Sequence, residues 1–297
     1  MPASPSIQAS ENDLATMKSS PVRSAFAGLV LAVICATEPK TQAADPPPSP
    51  VNVPRSIDHH KFDALLKKYV NTQGLVNYAA WKADGEDMAA LNTYLKEFAP
   101  RSEKPAEGDE RAAALTNLYN AGVLSWILQN YPTESVWETK DPFTAKRYAA
   151  GGEQVSLNDV ENGALRPQIG IGAHSVLVCA ARSCPPLQQI AYTAGGFDDQ
   201  NAKAYRIWLG RTDLNQFDPD KKKVEVSSIF KWFKDDFDKA GGAKKVLAEK
   251  APEKDRAFLA SGDYEVGYLP YNWGLNDQGP HGRSYSKVDL ILDRIFH

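Results

Sequence analysis

Residues from about Glu110 to Asn130 are apolar almost all round, with Leu115, Leu118, Tyr119, Val123, Leu124, Trp126, Ile127 and Leu128 leaving no polar face. A helix of that composition must be wrapped by the rest of the chain, since every side of it loses free energy in water. This demand sets the architecture: other elements pack around one central helix. Asn117 and Asn120 lie inside it, three apart and therefore on one face. A buried amide without a partner costs ~1–3 kcal/mol, so each must be bonded to something specific. Either they tie down a neighbouring loop or they line a cleft.

The wrapping elements can be read in order. Phe62, Leu65, Leu66 and Tyr69 recur at helical spacing, and Asn71 to Gly74 stops that helix. Gly74 to Tyr78 suits a short strand, and a helix from about Gly85 to Phe98 ends before Pro100. Tyr148 to Val155, around Gly151-Gly152, reads as a hairpin. Ser156 then caps a helix through Val160, Ala164 and Leu165, carrying Glu161, which Pro167 is expected to stop. Leu214 to Phe217 and Lys223 to Val226 make a second hairpin, with Lys221-Lys222-Lys223 at its solvated tip. Ser227-Ser228 opens a helix whose aromatics, Phe230 to Phe237, read as core. A short helix covers Arg256 to Leu259, Tyr264 to Tyr268 suits a strand, and Val288 to Phe296 a closing helix. Helices and short strands are intermixed without a steady strand-helix rhythm, so the expected fold is α+β, a helix-rich single domain with a small mixed or antiparallel sheet.

Chemistry concentrates in Ala173-His174-Ser175-Val176-Leu177-Val178-Cys179-Ala180-Ala181-Arg182-Ser183-Cys184-Pro185. Val176-Leu177-Val178 has the β-branched character of a buried strand. On a straight strand His174 and Cys179 stand roughly 16 Å apart at ~3.3 Å per residue and face opposite sides, so a local Cys-His dyad requires the chain to bend. Cys179 and Cys184 have enough loop between them to meet as a disulfide. Alternatively one thiol stays free. Pro185 at a first helical position would make Cys184 a cap, where thiols become better nucleophiles; Cys179 could instead meet a base from another element. His174 is either a bonded core histidine or a base, and Glu161, Asn117 and Asn120 are the groups that could orient it or polarise a carbonyl. A metal site from His174, Cys179 and Cys184 lacks a fourth ligand and the usual paired spacing. No cofactor and no metal is expected.

The amino terminus reads as an export signal over residues 1–44. Lys18 and Arg23 precede the apolar run Ala25 to Ala36, too short for a stable membrane span, and Ala43-Ala44 suits cleavage. Ile34 does not suit a lipid anchor at Cys35. Residues 45–55 read as a Pro-rich linker and 56–297 as one globular domain. Export puts Cys179 and Cys184 in a periplasmic or secreted, oxidising space, where disulfides persist. A net charge of −3 gives no basic face for nucleic acid.

Asn117-Leu118-Tyr119-Asn120-Ala121, Ser156 through Gly163, His174 through Cys179, Ser183-Cys184-Pro185, Ser228 through Phe233 and Tyr271-Asn272-Trp273-Gly274-Leu275-Asn276 resemble, in that order, the family called domain of unknown function 547. The resemblance implies an exported bacterial member, with Asn117, Asn120, Glu161, His174 and Cys179 in signature blocks. It favours Cys179 over Cys184 as the functional position. Asn272 and Gly274 stand where the family often carries Asp and Ser. Two functions are then expected. In the first, a papain- or transglutaminase-like hydrolase or acyl-transferase acts on an amide or ester of a small-molecule or peptide substrate in the cell envelope. It uses Cys179 as nucleophile, His174 as base, Glu161 as orienter and Asn117 or Asn120 as oxyanion donor. In the second, a non-catalytic binding or scaffolding module is stapled by Cys179–Cys184.

Overall fold

A computed structural model describes residues 51–283 and Tyr285, all within one unit spanning 47–297. The export signal and the Val288–Phe296 helix lie outside the described residues.

The central helix forms as its sequence demands. Helices α1 (His60–Tyr69), α2 (Tyr78–Ala83) and α3 (Gly85–Lys96) lead to α4 (Gly108–Asn130), which is buried continuously from Ala112 to Ser125. Gly122 of α4 allows a close approach: a Cβ there would press on Leu157 and on the Tyr148 ring, whose hydroxyl donates to the Gly122 carbonyl at 2.7 Å. Strands β1 (Tyr148–Ala150) and β2 (Glu153–Val155) make the first hairpin.

Ser156 and Asp159 then exchange side-chain to backbone bonds of 3.0 and 2.9 Å, a capping box that starts α5 (Leu157–Val160). The helix widens into a π-turn over Glu161–Leu165 and continues as α6 (Arg166–Ile169). Pro167 does not stop it: the proline follows the π-turn, at the point where the widened helix returns to α geometry in the first turn of α6. Insertions of this kind often mark functional sites, and this one begins at Glu161.

The one-turn helix α7 (Ala173–Val176) and the longer α8 (Phe197–Leu209) come next. Then β3 (Gln216–Asp218) pairs antiparallel with β4 (Lys223–Ser227). The chain crosses through α9 (Ile229–Trp232), α10 (Lys234–Lys239), α11 (Ala243–Lys250) and α12 (Glu253–Ser261) to β5 (Glu265–Leu269), which joins β4 in parallel. The fold is α+β, helix-rich, with a small mixed sheet and a separate hairpin. No helix among the described residues is long and apolar enough to cross a membrane.

Several sequence expectations are corrected. Residues 176–178 are not a strand: α7 ends at Val176, and no neighbouring strand pairs with Leu177 or Val178. Asn120 takes the place of that neighbour, donating to the Val176 carbonyl at 2.9 Å and accepting from the Val178 N–H at 3.0 Å. No helix begins at Pro185, so Cys184 is not a cap. Around Gly74 to Tyr78 only Val76 makes bridges, and Tyr78 instead opens α2, capped by Asn77. The aromatic helix after Ser228 breaks at Phe233. Val51 and Val53 are buried, and the Val53 carbonyl accepts from Ala106 at 2.9 Å, so packing starts before Ser56.

Candidate functional site

Helix α7 brings His174 into the core, with its ring 4.2 Å from that of Phe233 and 5.5 Å from that of Phe237. Its Nε2 lies 2.9 Å from Oδ2 of Asp236 on α10, and that oxygen also accepts from Arg166 Nε at 2.7 Å. The hydrogen bond from His174, then that from Arg166, holds the Asp236 carboxyl well below the usual carboxylate range against the opposing effect of burial. Arg166 is itself seated over the Phe233 ring and bonded to Asn162. The carboxylate that orients the imidazole is therefore Asp236 rather than Glu161.

Glu161 is nearby and differently used. It lies beside Tyr119, and burial pushes its carboxyl above the ordinary range while His174 opposes that rise. Tyr119, Glu161, His174, Cys179, Cys184 and Tyr271 line one hollow of about 70 Å³. The bend after α7 is what puts imidazole and sulfur on one hollow, against the straight-strand expectation.

Cys179 and Cys184 are joined as a disulfide, with Cα atoms 6.4 Å apart. Cys184 is buried and Cys179 half-buried, so Cys179 is the more accessible sulfur. Two donors converge on Cys184 Sγ: the Cys179 backbone N–H at 3.1 Å and the Tyr271 hydroxyl at 3.2 Å. The same hydroxyl lies 3.5 Å from Cys179 Sγ. Ala180, next in the chain, is held at φ 63°, an uncommon conformation for a residue with a Cβ.

The C-terminal block pins this loop. Arg182 and Ser183 donate their backbone N–H groups to the carbonyls of Gly274 and Asn272 at 2.8 and 3.2 Å, and Asn276 donates to that of Ala180 at 2.9 Å. Gly274 is required here, because a Cβ would overlap the Gly282 carbonyl oxygen. A serine at that position would not fit this packing.

Asn117 and Asn120 do not line the hollow. Asn117 donates to the Tyr192 carbonyl at 2.8 Å and accepts from its N–H at 2.9 Å, the same two-bond clamp that Asn120 makes on Val176 and Val178. These amides are spent on backbone, which leaves them poorly placed as oxyanion donors. Sequence reasoning missed Asp236, although Ile229, Phe233 and Asp236 follow i, i+4, i+7 spacing and so put an acid on a buried stripe. No group of three or more His, Cys, Asp or Glu among the described residues could hold a metal ion.

No curated protein and no solved structure matches the chain. Residues 104–209 match the family model described as "Protein of unknown function, DUF547". That segment carries Asn117, Asn120, Glu161, His174 and both cysteines, whereas Asp236 and Tyr271 lie beyond it. Over this segment, about a third of the chain, the protein is similar to the DUF547 family.

Proposed function

We propose that the protein is a thiol-dependent hydrolase or acyl-transferase acting on an amide or ester, with Cys179 as nucleophile and the Cys179–Cys184 disulfide as its resting form. The observation that carries this reading is the shared hollow: an imidazole oriented by a carboxylate through Nε2 lines it together with a sulfur pair on which two hydrogen-bond donors converge. The apolar run at 25–36 supports an exported protein, for which a resting disulfide is the expected state.

A dithiol reductant supplies two electrons and two protons, giving two thiols and its own disulfide. Cys179 then passes its proton to Nδ1 of His174, and the thiolate attacks the substrate carbonyl carbon. The carbonyl oxygen becomes an oxyanion, for which the Cys179 N–H and the Tyr271 hydroxyl are the available donors. In the resting form the Cys184 sulfur takes up both donors. Collapse breaks the bond to the leaving amine or alcohol, which takes the proton from His174, and leaves a thioester on Cys179. Water, or an acceptor amine, attacks the thioester while His174 takes its proton, and the thiol is restored. Asp236 keeps the imidazole in one orientation throughout.

The test is a Cys184→Ser variant given a p-nitrophenyl ester without reductant. It is expected to release one equivalent of nitrophenol in a burst and to carry the acyl group on Cys179 by mass spectrometry. His174→Ala in that background should slow the burst at least about 100-fold. Acylation no faster than that of the denatured chain refutes the reading and leaves a stapled, non-catalytic module.

A further inference from the structure

The hollow at the disulfide shares Tyr119, Glu161 and Trp273 with a larger cavity of about 350 Å³. That volume is at the lower end of the ~300–1,000 Å³ typical of small-molecule sites. One wall is aromatic. Trp137 sits edge-on to Phe143 at 5.3 Å and 72°, and to Trp273 at 5.4 Å and 65°. Asp141 and Glu161 add two carboxyl groups, while no Lys, Arg or His is among the lining residues. Ring faces beside the exposed Asp141 carboxylate favour a cationic guest, the neighbouring Arg147 guanidinium being engaged by the Lys140 and Asp141 carbonyls and the face of Trp126. Trp273 is only 5% exposed, yet its indole N–H has no acceptor among the described residues, and the same holds for the Trp137 N–H. A buried donor without an acceptor is costly, and a guest carbonyl at the junction of the two cavities would relieve it.

We infer that this cavity is the side-chain subsite for an aminoacyl or peptide substrate bearing a primary ammonium group of lysine type. The ammonium lies against Asp141 and the aromatic wall, and the adjoining amide carbonyl accepts from Trp273. The backbone of the guest thereby leads into the hollow that holds Cys179. The assignment rests on the acyl-transfer reading of that hollow and names the substrate class it serves.

Binding can be measured apart from chemistry by keeping the disulfide intact. The full oxidised chain is titrated, by tryptophan fluorescence and calorimetry, with Nα-acetyl-lysine methylamide and with its uncharged norleucine counterpart. The lysine ligand is expected to bind at least tenfold more tightly, and the preference to shrink with added salt. Asp141→Asn should reduce that preference at least fivefold without disturbing the fold, since Asp141 is exposed and sits at φ 44°, a conformation asparagine tolerates. Equal affinity for the two ligands, or a preference untouched by Asp141→Asn, overturns the assignment. A lysine preference that persists while the Cys184→Ser chain fails to acylate sustains the subsite and sinks the catalytic reading. Acylation of neutral esters with no lysine preference does the reverse.

Discussion

Replacing Asp236 tests the geometry of the site most directly, because one oxygen of this carboxylate serves both His174 and Arg166. The side chain of His174 is 3% exposed and that of Asp236 12%, against 26% for Arg166, so the pair with the imidazole is the better shielded. Breaking a fully buried charged pair by removing one partner costs about 3–5 kcal/mol, and the wetter guanidinium lowers the figure for Asp236→Ala to about 2–4 kcal/mol. At roughly 2–4 °C per kcal/mol for a unit of this size, the melting temperature at pH 7 should fall by roughly 4–16 °C. Asp236→Asn keeps an acceptor for both donors but loses the charge, and should cost about half as much. The dependence on pH adds an independent check. The folded carboxyl holds its proton less tightly than the unfolded chain, whose value is about 3.9. Its contribution is therefore complete above that value and is lost as pH falls through it toward the depressed folded value. Calorimetry from pH 7 downward should show wild type and Asp236→Asn converging below about pH 4. An Asp236→Ala protein melting within about 2 °C of wild type, with parallel pH profiles, refutes the shared-oxygen account.

Two further outcomes are expected from the backbone clamps and the pinned loop. Asn120→Ala leaves a carbonyl and an N–H unpaired in the core, so it should cost about 2–4 kcal/mol by chemical denaturation, with Asn117→Ala similar; a loss under about 0.5 kcal/mol contradicts the clamp. Gly274→Ala drives a Cβ into the Gly282 carbonyl and so displaces the block whose Gly274 and Asn272 carbonyls hold the sulfur loop; hydrogen exchange at the Arg182 and Ser183 amides should then accelerate at least about tenfold, and unchanged exchange contradicts the close packing.

The central helix, both hairpins, the Ser156 cap and the β5 strand were legible because each rests on local pattern: a run without a polar face, turn residues between two short apolar runs, a serine ahead of a helical repeat. The strand expected at 176–178 failed for a non-local reason. Its β-branched residues are buried as expected, but the backbone bonds go to a side chain 56 residues earlier in the chain. The site divides the same way. His174, Glu161 and the two cysteines were identifiable as polar or reactive groups in apolar surroundings, and they do share a hollow. Asp236 was not singled out, because the aromatics of its helix were read only as core and the acid on the same stripe was passed over. Its role depends on contact with a histidine 62 positions away.

That last separation bears on how the protein can be divided. Cutting out 104–209 would retain ring and thiols yet forfeit Asp236, Tyr271 and the strip that fastens the sulfur loop. In this chain the recognisable core and the residues gathered at the hollow are different objects, and a piece worth assaying must reach past 209 to include Asp236 and the strip from Tyr271 to Asn276.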